Sequence, residues 1–319
     1  DQQVLKNFYP ALKKQVDWLA SLAAVKMFDE DISDHEALDP KPEAFSAAIF
    51  YLLHLKIAAE VAAVIKQEDD AARYTKLAAR TQRNIVDRYL VPGSGRYDNG
   101  TQSAQALALW SGLWSEKQAS LNWLISEINR HNGHPSTGIF ATKMMLDILR
   151  ESDCRELAYA MVNKRDFPGW GYMLANGATT LWETWAPPGT VYSMNHPMFG
   201  SVDEWFFRAL LGINQARPGF KEMIIKPQPA GDLTWARGSY KSPYGIIESA
   251  WKIEGGTITM DLTIPAGTKA TVYIPSREPG SLRESGQPVA CLADGSDYLQ
   301  VKLGSGRYHF TAQYAPSQK

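Results

Sequence analysis

A chain of 319 residues is too long for one average domain, and its 45% hydrophobic and 21% charged residues are the balance of a globular protein with a real core, which excludes disorder. Thirty-three Lys and Arg against 34 Asp and Glu leave a formal charge of −1 and a pI near 6.7, so the basic footprint that a nucleic-acid partner needs is missing. No run of 18 or more apolar residues is evident, and no membrane span is expected.

Helical patterns dominate up to about residue 215. Leu5 to Met27 carries Leu5, Phe8, Leu12, Val16, Leu19 and Leu22 at three- and four-residue intervals. Pro42 and Glu43 open an Ala-rich helix to about Gln67, with Phe45, Ile49, Leu52, Leu55 and Ala59 along one face. Glu68-Asp69-Asp70 places acids where a helix N-terminus favours them, and this helix runs to about Tyr89 before Val91-Pro-Gly-Ser-Gly95 breaks it. Further helices are expected over 101–114, 116–131, 137–151, 153–164 and 198–212. Short loops join them in pairs, and such hairpins bury their apolar faces in a bundle, a solenoid or a closed toroid. Periodicity does not choose among the three.

After Pro218-Gly219 the pattern alternates. Strands are expected at 223–226, 234–240, 245–253, 257–264, 270–274 and 308–313, with turns such as Glu254-Gly-Gly256 between them. This spacing indicates an antiparallel β-sandwich in which Trp235, Tyr240, Tyr244 and Trp251 serve ordinary sheet packing. The expected domains are therefore 1–217, helical, and 218–319, a β-sandwich.

Cys154 and Cys291 have no metal-ligand spacing and read as buried thiols, leaving the redox compartment open. No His-x-x-x-His or comparable ladder occurs, so neither metal nor cofactor is expected. The opening DQQVLKNFYPALKKQ lacks the layout of a signal peptide. Ten Trp, 14 Tyr and 11 Phe exceed what helical packing alone requires.

Those rings concentrate in 166–205, DFPGWGYMLANGATTLWETWAPPGTVYSMNHPMFGSVDEW, the least helix-like part of the first domain. It holds Trp170, Tyr172, Trp182, Trp185, Asn195, His196 and, in an otherwise uncharged run from Phe167 to Pro188, Glu183. Long loops inside compact domains are functional or disordered, and this aromatic content argues for function. Flat rings beside a carboxylate and an imidazole suit a sugar site, where C–H faces stack and polar groups serve hydroxyls and the scissile oxygen. The alternative for each Trp is core packing, and for His196 a buried structural role. A carboxylate set between two indoles loses solvation, which suits Glu183 to acid–base work. A second stretch, FDEDISDHEALDPKP at 28–42, holds six acids and one His. It reads either as a solvated acidic loop or as a pocket rim in which Asp34, His35 and Glu36 hydrogen-bond sugar hydroxyls.

Gly177-Ala-Thr-Thr-Leu-Trp-Glu-Thr-Trp185, preceded by Gly169-Trp-Gly-Tyr-Met173 and followed by Ser193-Met-Asn-His196 and Phe199-Gly-Ser-Val-Asp-Glu-Trp205, resembles bacterial α-L-rhamnosidases of glycoside hydrolase family 78. Thr101-Gln102, Ser136-Thr-Gly138 and Gly219-Phe–Lys226-Pro extend the likeness over nearly the whole chain. It implies an (α/α)6 toroid followed by a β-sandwich, inversion at the anomeric carbon, Glu183 as general base, His196 on the sugar, and Trp182 or Trp185 shaping the pocket around a rhamnose-containing glycan or glycoside. It also favours a periplasmic or secreted location.

Two features depart from that family. Its acidic element, roughly Asp-Glu-Arg-x-Gly-Trp, whose glutamate is the general acid, has no counterpart here, and its Gly-Asp-Trp element is replaced by Ser33-Asp-His-Glu36. With about eight helices expected where a closed toroid needs twelve, residue 1 is expected to fall inside the helical domain of a longer protein, or another chain to supply the missing hairpins. Failing an external acid, it must come from the Asp29–Glu36 cluster. The competing readings are another toroid glycosidase, a polysaccharide lyase, or a non-catalytic carbohydrate-binding fragment. The absence of Arg and Lys between Phe167 and Glu204 disfavours the lyase, which needs a cation to neutralise a uronate.

Overall fold

Glu68, Asp69 and Asp70 occupy the first turn of a 22-residue helix and Arg88 its last, so charges of the favoured sign sit at both ends of its dipole. The computed structural model in which this is seen describes residues 1–25, 31–186, 189–190, 192–293 and 295–314. They form two compact units, residues 1–148 with 161–199, and residues 149–160 with 200–319. The change in hydrophobic pattern placed a boundary at 217/218. The compact units instead divide at 148/149, 160/161 and 199/200, because a helix from the first half joins the β-domain.

The helices are α1 (Gln2–Val25), α2 (Glu43–Val64), α3 (Glu68–Tyr89), α4 (Gln102–Trp110), α5 (Lys117–Arg130), α6 (Ala141–Glu151), α7 (Arg155–Val162), α8 (Trp170–Ala175) and α9 (Ser201–Trp205), with a two-strand ribbon β1 (Leu90–Val91) and β2 (Arg96–Tyr97) between α3 and α4. Phe45, Ile49, Leu52 and Leu55 of α2 are fully buried, as the spacing predicts. The helix α2 contains an 18-residue window of mean hydropathy 1.7, by length and composition enough to cross a membrane. In this fold it is a core helix, with α1 and α3 packed against it. The α1 face is less buried than its pattern suggests. Tyr9 and Val16 are buried, whereas Phe8, Trp18 and Leu22 are exposed. Polar contacts hold α1 to α3, where the Tyr9 hydroxyl donates to Asp70 at 2.6 Å and ion pairs join Lys13 to Asp70 and Arg73 to Asp17.

Three helical expectations need correction. The segment 137–151 is helical only from Ala141, because residues 134–140 form a buried extended loop. The stretch 166–205 contains a helix, α8, that its Gly and Pro content concealed. The helix expected over 198–212 is a composite, a 3-10 turn at 198–200, then α9, then a π turn at 206–210.

In the second unit the strands are β3 (Ile213–Gln215), β4 (Glu222–Ile225), β5 (Trp235–Ser242), β6 (Gly245–Glu254), β7 (Thr257–Ile264), β8 (Lys269–Pro275), β9 (Arg283–Glu284), β10 (Gln287–Pro288), β11 (Leu292–Ala293), β12 (Tyr298–Leu303) and β13 (Gly306–Gln313). They form a six-stranded sheet in the order β10-β9-β13-β7-β6-β5 and a five-stranded sheet in the order β11-β12-β8-β4-β3. All pairs are antiparallel except β4 with β8. One core lies between the sheets, with Ile225, Val272 and Leu299 from one and Ile247, Trp251, Met260 and Phe310 from the other. The alternation on β6 is regular, with Ile247, Ser249 and Trp251 buried and Glu248 and Lys252 exposed. Sheet packing accounts for Trp251 but not for Trp235, Tyr240 and Tyr244, which are exposed.

A buried ion network ties α7 into this unit. The Arg155 guanidinium donates to Asp297 at 3.2 Å and to the Tyr298 hydroxyl at 3.1 Å, while Asp297 also takes the Arg277 Nε–H at 2.6 Å. Arg155 and Asp297 are both buried. Removing one member of such a pair leaves the other charge unsolvated. Asp297→Ala is expected to lower stability by about 3–5 kcal/mol, read from the midpoint of urea unfolding at unchanged slope.

Candidate active site

The acidic loop and the Ser136-Thr-Gly138 loop fold onto each other through backbone groups that no helix or strand satisfies. Leu38 N–H donates to Ser136 O at 3.0 Å, and Ile139 N–H to His35 O at 2.8 Å. At Gly138 a Cβ would lie 2.0 Å from His35 O and 2.7 Å from Asp34 O, so only glycine permits this approach.

Asp34 sits at the junction. One oxygen accepts from Ser103 Oγ and, at 2.7 Å, from Gly138 N–H, and the other accepts from Phe140 N–H at 3.1 Å and Ala141 N–H at 2.9 Å. The backbone donors lie at and just before the start of α6, an end whose N–H groups need such a partner, whereas the start of α4 is capped by Thr101 Oγ1, which accepts from Ala104 N–H, and offers Asp34 only the Ser103 hydroxyl. Burial pushes the Asp34 carboxyl above the usual carboxylate range, opposed by the same hydrogen bonds. With both oxygens occupied and 1% exposure, Asp34 has no capacity for a sugar hydroxyl, which corrects its assignment to a pocket rim.

Its neighbours behave alike. Asp31 accepts from Ser33 N–H and Ser46 Oγ, with burial pushing its carboxyl up, and Asp39 accepts from Ser136 Oγ at 2.7 Å and faces His131 Nε2 at 3.2 Å. Asp29 and Glu30 lie outside the described residues. His35 and Glu36 are partly exposed and pair with each other at 3.3 Å. The loop is thus an anchor, neither simply solvated nor a rim of free acids.

The anchored loop in turn holds the aromatic stretch. Gln102, fully buried, donates to His134 O at 3.0 Å and accepts from Ser136 N–H at 3.0 Å. His134 Nδ1 lies 2.7 Å from Pro168 O. Trp185 Nε1–H donates to Thr137 O at 2.8 Å, and Trp170 Nε1–H to Phe199 O at 3.0 Å. The Trp185 ring stacks on Phe199 with centroids 3.9 Å apart and takes Trp170 edge-on at 5.1 Å. At 1% and 6% exposure, Trp185 and Trp170 support the site from beneath, and neither presents a ring face to a sugar as expected. Trp182 is buried as well. Tyr172 is partly exposed and meets the Phe167 ring at 5.4 Å, and Asn195 is exposed.

Two expected residues come together. Glu183 N–H donates to Ser193 O at 3.0 Å, His196 N–H donates to Leu181 O at 2.8 Å, and Thr180 Oγ1 bonds Met194 O, so the segments 180–183 and 193–196 are bridged. The bridge sets Glu183 Oε1 3.8 Å from His196 Nε2, with their side chains 18% and 27% exposed. Met198 N–H reaches His196 Nδ1 at 3.4 Å, so Nδ1 accepts and Nε2 carries the ring proton toward the carboxylate. At 3.8 Å the two groups are too far apart for a direct hydrogen bond. Among the described residues, no three His, Cys, Asp or Glu side chains are grouped to hold a metal ion.

The chain thus joins a helical-hairpin domain carrying a bridged Glu–His pair to a β-sandwich, and sequence comparison gives its class. Residues 1–210 match the bacterial alpha-L-rhamnosidase 6 hairpin glycosidase domain, and residues 212–287 the bacterial alpha-L-rhamnosidase C-terminal domain. The chain belongs to the bacterial α-L-rhamnosidase family. It is 31% identical over 283 residues to an alpha-L-rhamnosidase of Streptomyces avermitilis, covering 86% of this chain and 27% of that protein. An alpha-L-rhamnosidase of Formosa agariphila is 26% identical over 346 residues, covering 99% and 37%. The crystal structure of the Streptomyces avermitilis enzyme complexed with L-rhamnose superimposes with a TM-score of 0.89 at 27% identity, over 98% of this chain and 31% of that one. The structure of the enzyme from Dictyoglumus thermophilum gives 0.90 at 28% identity, over 98% and 37%. This chain therefore spans roughly a third of the length of such relatives.

Ser103, Gln102, Thr137 and Gly138 were not predicted as a group. Thr101-Gln102 and Ser136-Thr-Gly138 stand out in the sequence, but the bond from Gly138 to Asp34 bridges 104 positions of chain, which no local pattern encodes. Asp34→Ala leaves several buried donors unmade at about 1–3 kcal/mol each, so a stability loss of about 3 kcal/mol or more is expected by chemical denaturation, with Asp34→Asn intermediate.

Proposed function

We propose that this chain carries the general base of an inverting α-L-rhamnosidase, with Glu183 as the base. The observation that carries this reading is the Glu183–His196 pair, a partly exposed carboxylate and imidazole on two bridged segments above a buried ring stack. The Glu183 carboxylate takes the proton of a water as its oxygen attacks the anomeric carbon from the face opposite the leaving group. His196 Nε2–H donates to a sugar hydroxyl or to that water and keeps the carboxylate oriented.

Inversion requires a second carboxyl group about 6.5–9.5 Å away, protonated, to give its proton to the leaving oxygen. Asp31, Asp34 and Asp39 are committed to hydrogen bonds within the fold, and the acidic motif typical of the family is absent from the sequence. On the missing motif this reading takes the general acid from outside these 319 residues, and the substrate as a rhamnose-terminated glycan or glycoside. In the assembled enzyme, Glu183→Gln is expected to lower turnover of an aryl α-L-rhamnoside by about 10²–10⁴-fold, the usual worth of a positioned base. Retention of most of the wild-type turnover dismisses the role.

A further inference from the structure

The second unit contains two open clefts. The larger, about 960 Å³, lies on the six-stranded sheet over Arg237, Glu248, Asp261 and Arg307, a charged sheet face of the ordinary solvated kind. The smaller, about 650 Å³, is built differently. Gly200, Asp203, Glu204, Phe207 and Arg208 come from one face of the helical segment beginning at α9, and Phe220 and Tyr240 form the opposite wall, their rings 4.9 Å apart and inclined at 42°.

Three observations make this cleft a candidate site. Phe220 has φ +64° directly after Gly219 at +74°, a left-handed conformation that a bulky side chain adopts only when its surroundings impose it. The constraint here sets the ring against Tyr240. The π turn at 206–210 brings both Phe207 and Arg208 to the cleft, and such widened turns recur at functional sites. Polar capacity at the walls is unused, because among the described residues the Asp203 carboxylate, the Gln215 amide and the Tyr240 hydroxyl have no hydrogen-bond or ion-pair partner. Arg208, by contrast, is engaged with Glu204 at 3.0 Å and Asn214 at 3.2 Å. Apolar rings with a few convergent polar groups are the usual makings of a small-ligand site.

We propose that this cleft is a second carbohydrate site that takes a neutral pyranose unit of a glycan. The rings of Phe207, Phe220 and Tyr240 cover the C–H face of the sugar. Asp203 accepts from its hydroxyls, and Gln215 and the Tyr240 hydroxyl complete the contacts. The one unpaired charge at the walls is negative, which disfavours uronates and other anionic sugars. This reading takes its ligand class from the family membership and is independent of the role proposed for Glu183.

Isothermal titration of the 319-residue chain with a neutral rhamnotriose, and with a uronate-containing trisaccharide, tests it. Asp203 is exposed, so Asp203→Asn leaves the fold intact. Asp203→Asn and Phe207→Ala are each expected to weaken rhamnotriose binding at this site by about tenfold, the worth of a charged hydrogen bond or a buried ring contact. Glu183→Gln leaves that binding event unchanged, and Asp203→Asn improves uptake of the uronate. Rhamnotriose binding that is absent, unaltered by Asp203→Asn, or altered only by Glu183→Gln overturns the proposal. Binding sensitive to Asp203→Asn in a chain where Glu183→Gln has no effect on turnover of the assembled enzyme upholds this site while removing the base.

Discussion

One buried carboxylate organises the helical unit around the candidate active site. Asp34 accepts from the backbone N–H groups of Gly138, Phe140 and Ala141 at the start of α6 and from the Ser103 hydroxyl at the start of α4, so one side chain caps one helix and ties it to another. The loop fixed in this way, 134–141, presents Thr137 O to Trp185 and His134 to Pro168. Glu183 lies two residues before Trp185, and the backbone bridge to 193–196 sets His196 beside it. A functional site tolerates little displacement, and the contacts run from an amide-lined carboxylate through an indole N–H to the loop that holds the Glu183–His196 pair.

The division of labour among the tryptophans follows from this. Trp170 and Trp185 serve as a rigid floor whose polar edges are satisfied by backbone carbonyls. Rings so placed restrict the loop without contributing contact area to a ligand. A segment rich in Gly and Pro therefore carries only short helices among its described residues, the first of which, α8, begins at Trp170.

Much of the architecture was legible because it depends on local signals. The periodicity of Phe45, Ile49, Leu52 and Leu55 located the core face of α2, and the alternation along β6 located the sheet interior. Glu183 stands out in the sequence as the lone charge among rings, and the resemblance points to both it and His196, which the structure sets 3.8 Å apart. The failures are non-local. Whether Asp34 faces water or the helix starts depends on residues as far along the chain as Ala141, and whether Trp185 faces a sugar or Phe199 depends on the loop beneath it. Both look the same in one dimension. The parallel pairing of β4 with β8 and the left-handed turn at Phe220 are likewise set by tertiary packing and carry no compositional mark.

The course of the chain between the units has a practical side. Residues 149–160 belong with the sheets, where Arg155 meets Asp297, Tyr159 donates to Asp232 at 2.5 Å, and Glu156 accepts from Gly231 N–H. A polypeptide excised at residue 218 to isolate the β-sandwich retains every strand of it except the short β3 and yet loses this helix, together with Arg155, one of the two guanidinium groups that neutralise the buried Asp297. Dissection of the protein into its two parts is thus a matter of grafting a discontinuous segment, and a single cut yields a sandwich with an open, charged seam.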